Sequence, residues 1–216
     1  PFPDSVEPLT REQFASVLSV SRHSAPGPDG IVYDAWTHSG DVGVGILYSC
    51  YTSILSDPCV PEWLNCSLMT FIPKGDVNDH GASVQAKPDE LRPLSLSNTD
   101  QKLLALAANQ SLVHACSVTV ESHQRGFMKG RLLTDNVLEL DAHVDSYLMC
   151  RSTDICVAQV LLDMKAAFPS AAWNWIWFVL DAMGAPAWIK NCFLALYVGS
   201  STQLVLGRCR GLAFFL

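Results

Sequence analysis

The chain has 216 residues, of which 49% are hydrophobic and only 16% charged, and its formal net charge is −7. This combination excludes intrinsic disorder, which needs low hydrophobicity and high net charge, and the acidic balance excludes a small basic nucleic-acid-binding module. The length corresponds to about one domain. Because the chain begins with Pro1 and ends in an apolar run over 212–216, we expect a fragment of a longer polypeptide.

Targeting and membrane signals are absent from the sequence. The first residues have neither the basic start nor the apolar centre of a signal peptide, and no run reaches the roughly eighteen apolar residues of a membrane span. The 8 cysteines contain no CxxC pair and are interpreted as buried free thiols, with a zinc site or a disulfide framework as alternatives. We expect an intracellular protein, in the nucleus or cytoplasm, with no membrane partner.

The N-terminal half predicts helices and extended segments in turn. Thr10 and Gln13 have the spacing of a capping box and predict a helix over 11–20. A turn rich in Pro and Gly follows at 24–31. The next segments predict a helix, a strand, a polar loop, an extended segment and a helix, at 41–56, 68–72, 75–90, 91–96 and 99–115.

The C-terminal half predicts mostly helices. Residues 124–131 form a basic, glycine-containing loop, and apolar residues at steps of three and four predict a helix over 133–148. The apolar run Val157–Leu162 has the pattern of a buried strand. Two helices and a final strand are predicted at 170–183, 186–197 and 202–206. Together the elements indicate an α+β fold with many helices and few strands.

Two groups of residues have a pattern that suits phosphoryl chemistry. Asp163 ends the predicted buried strand, where a carboxylate can bind Mg²⁺ or simply cap a turn. If the segments around 68–72 and 91–96 pair as a hairpin, Lys74 and Arg92 lie near one end of it. Two cations beside a metal-binding carboxylate suit a nucleoside triphosphate, although each cation alone is typical of a solvated surface.

A third group lies in the loop 124–131. Arg125, Lys129 and Arg131 surround Phe127, so the loop has the charge to follow a nucleic-acid backbone and an aromatic ring to stack on a base. The alternative is a solvated loop.

Taken in chain order, six segments resemble the reverse transcriptase of LINE-type (non-LTR) retrotransposons. They read SAPGPDGI at 24–31, MTFIPKGD at 69–76, RPLSLSNTDQKLLA at 92–105, QRGFMKGRLLTDNV at 124–137, LDMKAAFPS at 162–170 and MGAPAWIKNCFLALY at 183–197. The resemblance implies an RNA-directed DNA polymerase, which is a nucleotidyltransferase that joins deoxynucleoside triphosphates to a primer 3′-hydroxyl with two Mg²⁺ ions. The implied partners are an RNA template, a DNA primer and deoxynucleoside triphosphates.

The resemblance also implies roles for single residues. Asp163 matches the catalytic, metal-binding aspartate, and Met164 would offer its carbonyl to the same ion. The nucleotide-binding positions, with an aromatic steric gate as the last, are Lys74, Arg92, Ala166, Ala167 and Phe168. The positions expected along the template or primer are Gln124, Arg125, Gly126, Phe127, Lys129 and Arg131.

The implied fold is α+β: right-hand polymerase fingers plus a partial palm, helix-rich with a small, mostly antiparallel sheet. Residues 1–40 would be an N-terminal extension with the APGPDG turn, 41–150 a fingers-like region and 151–216 the partial palm.

The sequence departs from the family pattern at several points. Pro169 stands where the family has Asp, and Arg210 stands where it has Gln. The sequence contains no Asp-Asp pair of the second palm motif, and we expect the C-terminal palm and thumb to belong to a longer parent polypeptide. The two-ion site is therefore incomplete, and we expect the isolated chain to be inactive. The alternatives are a non-catalytic remnant that binds RNA or a protein, and an unrelated helical scaffold.

Overall fold

The computed structural model describes residues 2, 3, 6–19, 24–74, 87, 90–149, 158–164, 167–206 and 209–215. The chain divides into two compact units. The first contains Pro1–Val6 and Ser111–Ala185, and the second contains Glu7–Gln110 and Pro186–Leu216. The division of the chain at residues 40 and 150 expected above stays a prediction.

The described elements follow the chain as three helices, two strands, five helices and two strands. The helices are α1 (Arg11–Ser19), α2 (Tyr33–His38), α3 (Gly40–Ser56), α4 (Thr99–Thr119), α5 (Thr134–Met149), α6 (Ala167–Ser170), α7 (Trp173–Ala182) and α8 (Ala187–Tyr197). The strands are β1 (Cys66–Pro73), β2 (Leu91–Ser97), β3 (Ser201–Leu206) and β4 (Cys209–Phe215), with a 3-10 turn at Glu62–Asn65 before β1.

Thr10 and Gln13 cap the N-terminus of helix α1, which begins at Arg11. The backbone N–H of Thr10 donates to Oε1 of Gln13 at 2.9 Å, and the N–H of Gln13 donates to Oγ1 of Thr10 at 3.3 Å. These reciprocal bonds satisfy two backbone donors that the first turn of a helix leaves unpaired. The predicted capping box is confirmed.

The core of the second unit is built from α1, α3, α4 and α8. Phe14 is fully buried, and its ring lies 5.3 Å from that of Tyr51, which is 1% exposed. The hydroxyl of Tyr51 accepts a hydrogen bond from the backbone N–H of Leu9 at 3.2 Å, so its polar end is satisfied inside the core. The other helices contribute Leu47, Ile54, Leu103, Leu104, Ala107, Cys192, Ala195 and Leu196.

The sheet of the second unit has the order β2-β1-β3-β4. Strand β1 pairs antiparallel with β2 and parallel with β3, and β3 pairs antiparallel with β4. The α+β class is confirmed, with a small mixed sheet in which antiparallel pairing predominates. The apolar residues near the C-terminus, to which the sequence assigned no element, form β4, where Phe214 lies opposite Thr202.

The prediction of a buried strand over 157–162 is wrong within the described residues. Residues 158–164 form no regular element, and Leu161 and Leu162 are 81% and 90% exposed. A strand needs a hydrogen-bonding neighbour, and the described strands all pair within the second unit. None of the described strands pairs with residues 158–162.

The helices of the first unit are largely exposed to solvent. Helices α5 and α7 have no buried residue among those described. The predicted helix over 170–183 is broken at 171–172, because Ala172 has extended backbone angles (φ −74°, ψ 130°) before α7 begins. Throughout the described ranges, every helix is too short or too polar to cross a bilayer.

The cysteine prediction is only partly correct. Five of the described cysteines are free thiols, namely Cys50, Cys59, Cys66, Cys116 and Cys192; Cys192 is buried, but Cys50 and Cys59 are exposed on the surface of the second unit. Cys50 lies on the solvent side of α3, whose buried residues are Gly43, Leu47, Tyr51 and Ile54, and Cys59 lies in the loop after it, which explains the difference.

Candidate functional site

The predicted hairpin forms and brings two candidate cations together. Strands β1 and β2 pair with Ile72 opposite Arg92, and the backbone N–H of Lys74 continues the pairing by donating to the carbonyl of Glu90 at 2.7 Å. Because side chains alternate across a sheet, Lys74 lies on the same face as Ile72 and is a diagonal neighbour of Arg92. Both cations are exposed.

The Pro- and Gly-rich turn is closed by its own hydrogen bonds. The N–H of Gly30 donates to the carbonyl of Gly27 at 3.1 Å, and Oδ1 of Asp29 accepts from the N–H of Ile31 at 2.9 Å. Gly30 has φ +74°, a left-handed conformation that glycine adopts without strain.

The turn is held against the start of α4. Oδ1 of Asn98 accepts from the N–H of Asp29 at 3.3 Å, and Oγ1 of Thr99 donates to the carbonyl of Ile31 at 3.0 Å. The same Oγ1 accepts from the indole N–H of Trp36 at 2.9 Å. The β2–α4 junction therefore positions the turn through side chains that the sequence prediction did not single out.

Lys102 fixes the other end of the turn. Its ammonium donates to the carbonyl of Ala25 at 3.0 Å and contacts the hydroxyl of Ser24 at 3.4 Å. The Asn98-Thr99 pair before α4 is typical of a helix start. It indicated the cap, but not the distant turn that the cap binds.

Burial changes the ionisation of two residues at the start of α4. Desolvation raises the pKa of Asp100 above its usual value, and the nearby negative charge of Asp29 adds to the effect. Desolvation also lowers the pKa of Lys102, although Asp29 partly opposes this shift. At the start of α4, burial therefore disfavours the charged forms of both Asp100 and Lys102.

In the first unit, Arg131 organises the loop that follows α4. Its guanidinium donates to the carbonyls of Ser117, Val120, Glu121 and Gln124 at 2.5–3.2 Å. Carbonyls at a helix C-terminus lack partners within the helix, and a cation there also interacts favourably with the helix dipole. Arg131 therefore closes the end of α4.

Arg125 ties the same loop to α5. One of its N–H groups donates to Oε2 of Glu139 at 2.8 Å, and others contact Oε1 of Glu139 and Oδ1 of Asn136. Asp135 lies 3.9 Å from the guanidinium. The hydrogen bond from Arg125 lowers the pKa of Glu139 and raises that of Arg125.

The loop presents Phe127 at its tip. Phe127 has φ +61°, the only positive value among the described non-glycine residues, and its side chain is 95% exposed. Lys129 is also exposed, whereas Gln124 folds back to the carbonyl of Gly126 at 3.1 Å. Two arginines thus hold the loop, and an aromatic ring and a lysine extend into solvent.

The remaining candidate residues lie in the segment before and within α6. Asp163 and Met164 are exposed in an irregular stretch, and Ala167 begins α6. Ala166 is outside the described residues, and Phe168 is described only as part of the α6 backbone. No cluster of three or more possible metal ligands occurs among the described residues.

A comparison with known proteins links the chain to mobile elements. It is 30% identical over 196 residues to the retrovirus-related Pol polyprotein from type-2 retrotransposable element R2DM of Drosophila melanogaster, a match that covers 89% of this chain. The chain is similar to a retrotransposon Pol polyprotein. It spans 17% of the length of that relative. No protein-family model matches it.

The similarity extends over both structural units. Since 89% of the chain is covered, the match to the Pol polyprotein includes residues of the first unit as well as the second. This match agrees with the resemblance of the six sequence segments to retrotransposon proteins. It shows that the chain is related to part of a Pol polyprotein.

Proposed function

We propose that the chain is a reverse-transcriptase region of a non-LTR retrotransposon that binds deoxynucleoside triphosphates and the template–primer. The observation that supports this most is the similarity to the Pol polyprotein over nearly the whole chain. The adjacent placement of Lys74 and Arg92 on one face of a hairpin supports it independently.

The hairpin has the chemistry that a triphosphate requires. A guanidinium offers a fork of donors that fits two phosphate oxygens, while an ammonium supplies a compact charge. Arg92 and Lys74 are exposed neighbours, so one triphosphate can reach both. Ala166, Ala167 and Phe168 remain nucleotide-binding positions that only the family resemblance proposes.

The described residues do not complete a site for two Mg²⁺ ions. Asp163 supplies one carboxylate and Met164 one backbone carbonyl, but no further acidic residue joins them within the described ranges. Two-metal phosphoryl transfer requires more oxygen ligands than these. We therefore derive no catalytic step through the metals and propose that Asp163 is one ligand of a larger site.

The loop of the first unit is the proposed contact with single-stranded nucleic acid. Phe127 offers a ring for base stacking and Lys129 a charge for the backbone. Arg125 and Arg131, together with Gln124 and Gly126, are proposed to shape the loop, because their described hydrogen bonds are internal.

Nucleotide binding tests the proposal. We expect saturable binding of a deoxynucleoside triphosphate to the 216-residue chain, weakened about tenfold by Lys74→Met or Arg92→Met. Arg11→Met removes an exposed cation on α1, outside the hairpin, and serves as the charge-matched control. Equal affinity in all four proteins would contradict the nucleotide site.

Primer extension tests the expected inactivity. We expect no incorporation by the isolated chain, because Asp163 has no described carboxylate partners for two ions. RNA-templated extension that disappears in Asp163→Asn would overturn this expectation.

The second candidate function is a non-catalytic remnant that binds RNA or a protein. The exposed, irregular segment around Asp163 favours it, since catalytic carboxylates are normally held rigidly. Salt-sensitive RNA binding without any nucleotide binding would support this function over the first.

A further inference from the structure

A cavity lined by several serine side chains lies on the face of the hairpin opposite Arg92. It has a volume of about 350 Å³ and is bounded by β1, β2, α4 and the end of α8. Ser95 and Ser97 alternate with the residues of the Arg92 face, so they point to the other side of β2. We call the space between them, Ser67, Gln101 and Lys102 the serine cavity.

Its walls offer unused hydrogen-bonding groups. In the described part of the chain, the hydroxyls of Ser95 and Ser97 have no hydrogen-bond partner. Gln101 uses its amide N–H groups on Oδ1 of Asn65 (3.0 Å) and the carbonyl of Leu196 (3.1 Å), which fixes that wall. Asn65 is itself held by the carbonyls of Ala195 and Val198. The wall formed by Gln101 and Asn65 is therefore held in place, while the hydroxyls of Ser95 and Ser97 are available to bind a ligand.

Lys102 gives the cavity a positive charge that lacks a close counter-ion. Its ammonium bonds to two neutral oxygens, of Ser24 and Ala25, and forms no ion pair with a described carboxylate. Asp29 attracts it only through space. A half-buried charge without an ionic partner is costly, so an anion in the cavity would be favoured.

We propose that the serine cavity binds a phosphate group, with Lys102 supplying the charge and Ser95 and Ser97 donating hydrogen bonds to its oxygens. The volume lies within the range of small-molecule sites, roughly 300–1,000 Å³. The site is separate from the proposed nucleotide site, because Lys74 and Arg92 lie on the opposite face of the hairpin. The proposal does not rest on polymerase activity.

Calorimetric titration with inorganic phosphate, at an ionic strength held constant with chloride, tests the site in the 216-residue chain. We expect saturable binding that is about tenfold or more weaker in Lys102→Met. Lys87→Met, an exposed lysine away from the cavity, should bind like the unmodified chain. Absence of saturable binding in the unmodified chain would overturn the proposal.

A second variant separates binding from folding, because Lys102 also holds the turn at Ser24 and Ala25. Ser97→Asp places a carboxylate beside Lys102, so it should abolish phosphate binding and leave the urea midpoint of unfolding unchanged or higher. Ser16→Asp, on the exposed side of α1, is its control. Phosphate binding that survives in folded Ser97→Asp would overturn the proposal.

A parallel titration with a single-stranded RNA oligonucleotide identifies the source of the phosphate. Weaker RNA binding in Ser97→Asp assigns the phosphate to a polynucleotide backbone, whereas loss of inorganic phosphate binding alone assigns it to a free phosphate. Nucleotide binding that depends on Lys74 should be unchanged in Ser97→Asp, so failure of this site and failure of the proposed function are distinguishable.

Discussion

Gly27 lies directly against Asn98. A Cβ atom placed on Gly27 would be 2.4 Å from both the backbone nitrogen and Oδ1 of Asn98, and 2.5 Å from the carbonyl carbon of Ser97. Real Cβ atoms do not approach backbone so closely, so the absence of a side chain allows the turn to sit on the β2–α4 junction. The contact also brings Asp29 within hydrogen-bonding distance of Asn98.

Replacing Gly27 by alanine should destabilise the second unit. The added methyl group meets backbone atoms of Ser97 and Asn98, which cannot rotate away, so we expect a loss of about 2 kcal/mol in the free energy of unfolding. Urea denaturation measures it. Gly45→Ala is the control: its nearest neighbour would be a flexible arginine end at 3.9 Å, and alanine should stabilise the interior of α3 by about 0.5–1 kcal/mol. Equal midpoints for Gly27→Ala and the unmodified chain would show that the turn is not seated there.

Local signals in the sequence were sufficient for the start of α1 and for the hairpin. Thr10 and Gln13 are three residues apart and cap α1 by themselves. The β1–β2 pairing follows from two extended segments joined by one connection, and it placed Lys74 beside Arg92 as expected. Such contacts depend on spacing along the chain, which a sequence displays.

Contacts between distant segments were not predictable in the same way. Thr99 and Ile31 are 68 residues apart in sequence, and nothing in either residue indicates the other. Residues 158–162 show the opposite error, because their apolar composition predicts a buried strand, whereas Leu161 and Leu162 are exposed and no described strand pairs with them. Likewise, the charges of Arg125 and Arg131 were visible, whereas the carboxylate and carbonyls that engage them were not.

Arg131 and Lys129 should have separable effects. Arg131→Met removes the donor to four carbonyls in the last turn of α4 and just after it, so we expect a loss of about 1–3 kcal/mol of stability and faster hydrogen exchange over 117–131. Lys129→Met should leave stability within about 0.5 kcal/mol, because Lys129 is exposed. If the loop binds RNA, Lys129→Met should lower the slope of log binding constant against log salt concentration by about 1, because one phosphate contact is lost. Identical exchange rates in both variants would refute the capping role.

Phe127→Gly should change stability and RNA binding in opposite directions. Glycine adopts the left-handed conformation at φ +61° without strain, so stability should rise by about 1 kcal/mol. Loss of the exposed ring should weaken single-stranded RNA binding by about 1–3 kcal/mol. Thermal unfolding and fluorescence titration measure the two effects. Phe127→Trp keeps a stacking ring and is the control, and unchanged affinity in Phe127→Gly would exclude stacking.

Asp100 should make the second unit less stable as pH rises. Its pKa is raised in the folded state, so the folded protein holds its proton more tightly than the unfolded chain does. The resulting stabilisation is present below the usual carboxyl pKa of 3.8 and is lost as pH rises through the higher folded value. Urea unfolding of the unmodified chain and Asp100→Asn across pH 3.5–7 isolates this effect. As pH rises, the unmodified chain should lose stability relative to Asp100→Asn. A stability difference that stays constant with pH would contradict the raised pKa of Asp100.

Thiol labelling should distinguish the surface of the second unit from its core. Cys50 and Cys59 are exposed, whereas Cys192 is 4% exposed on α8 and burial raises its pKa to about 11. The thiolate is the reactive form, so at pH 8 maleimide should label Cys50 and Cys59 first, and Cys192 only as fast as the unit opens. Peptide mass spectrometry after timed quenching gives each rate, and labelling in urea confirms that Cys192 reacts once exposed. Rapid labelling of Cys192 in the native chain would mean that α8 does not pack on α3 and α4.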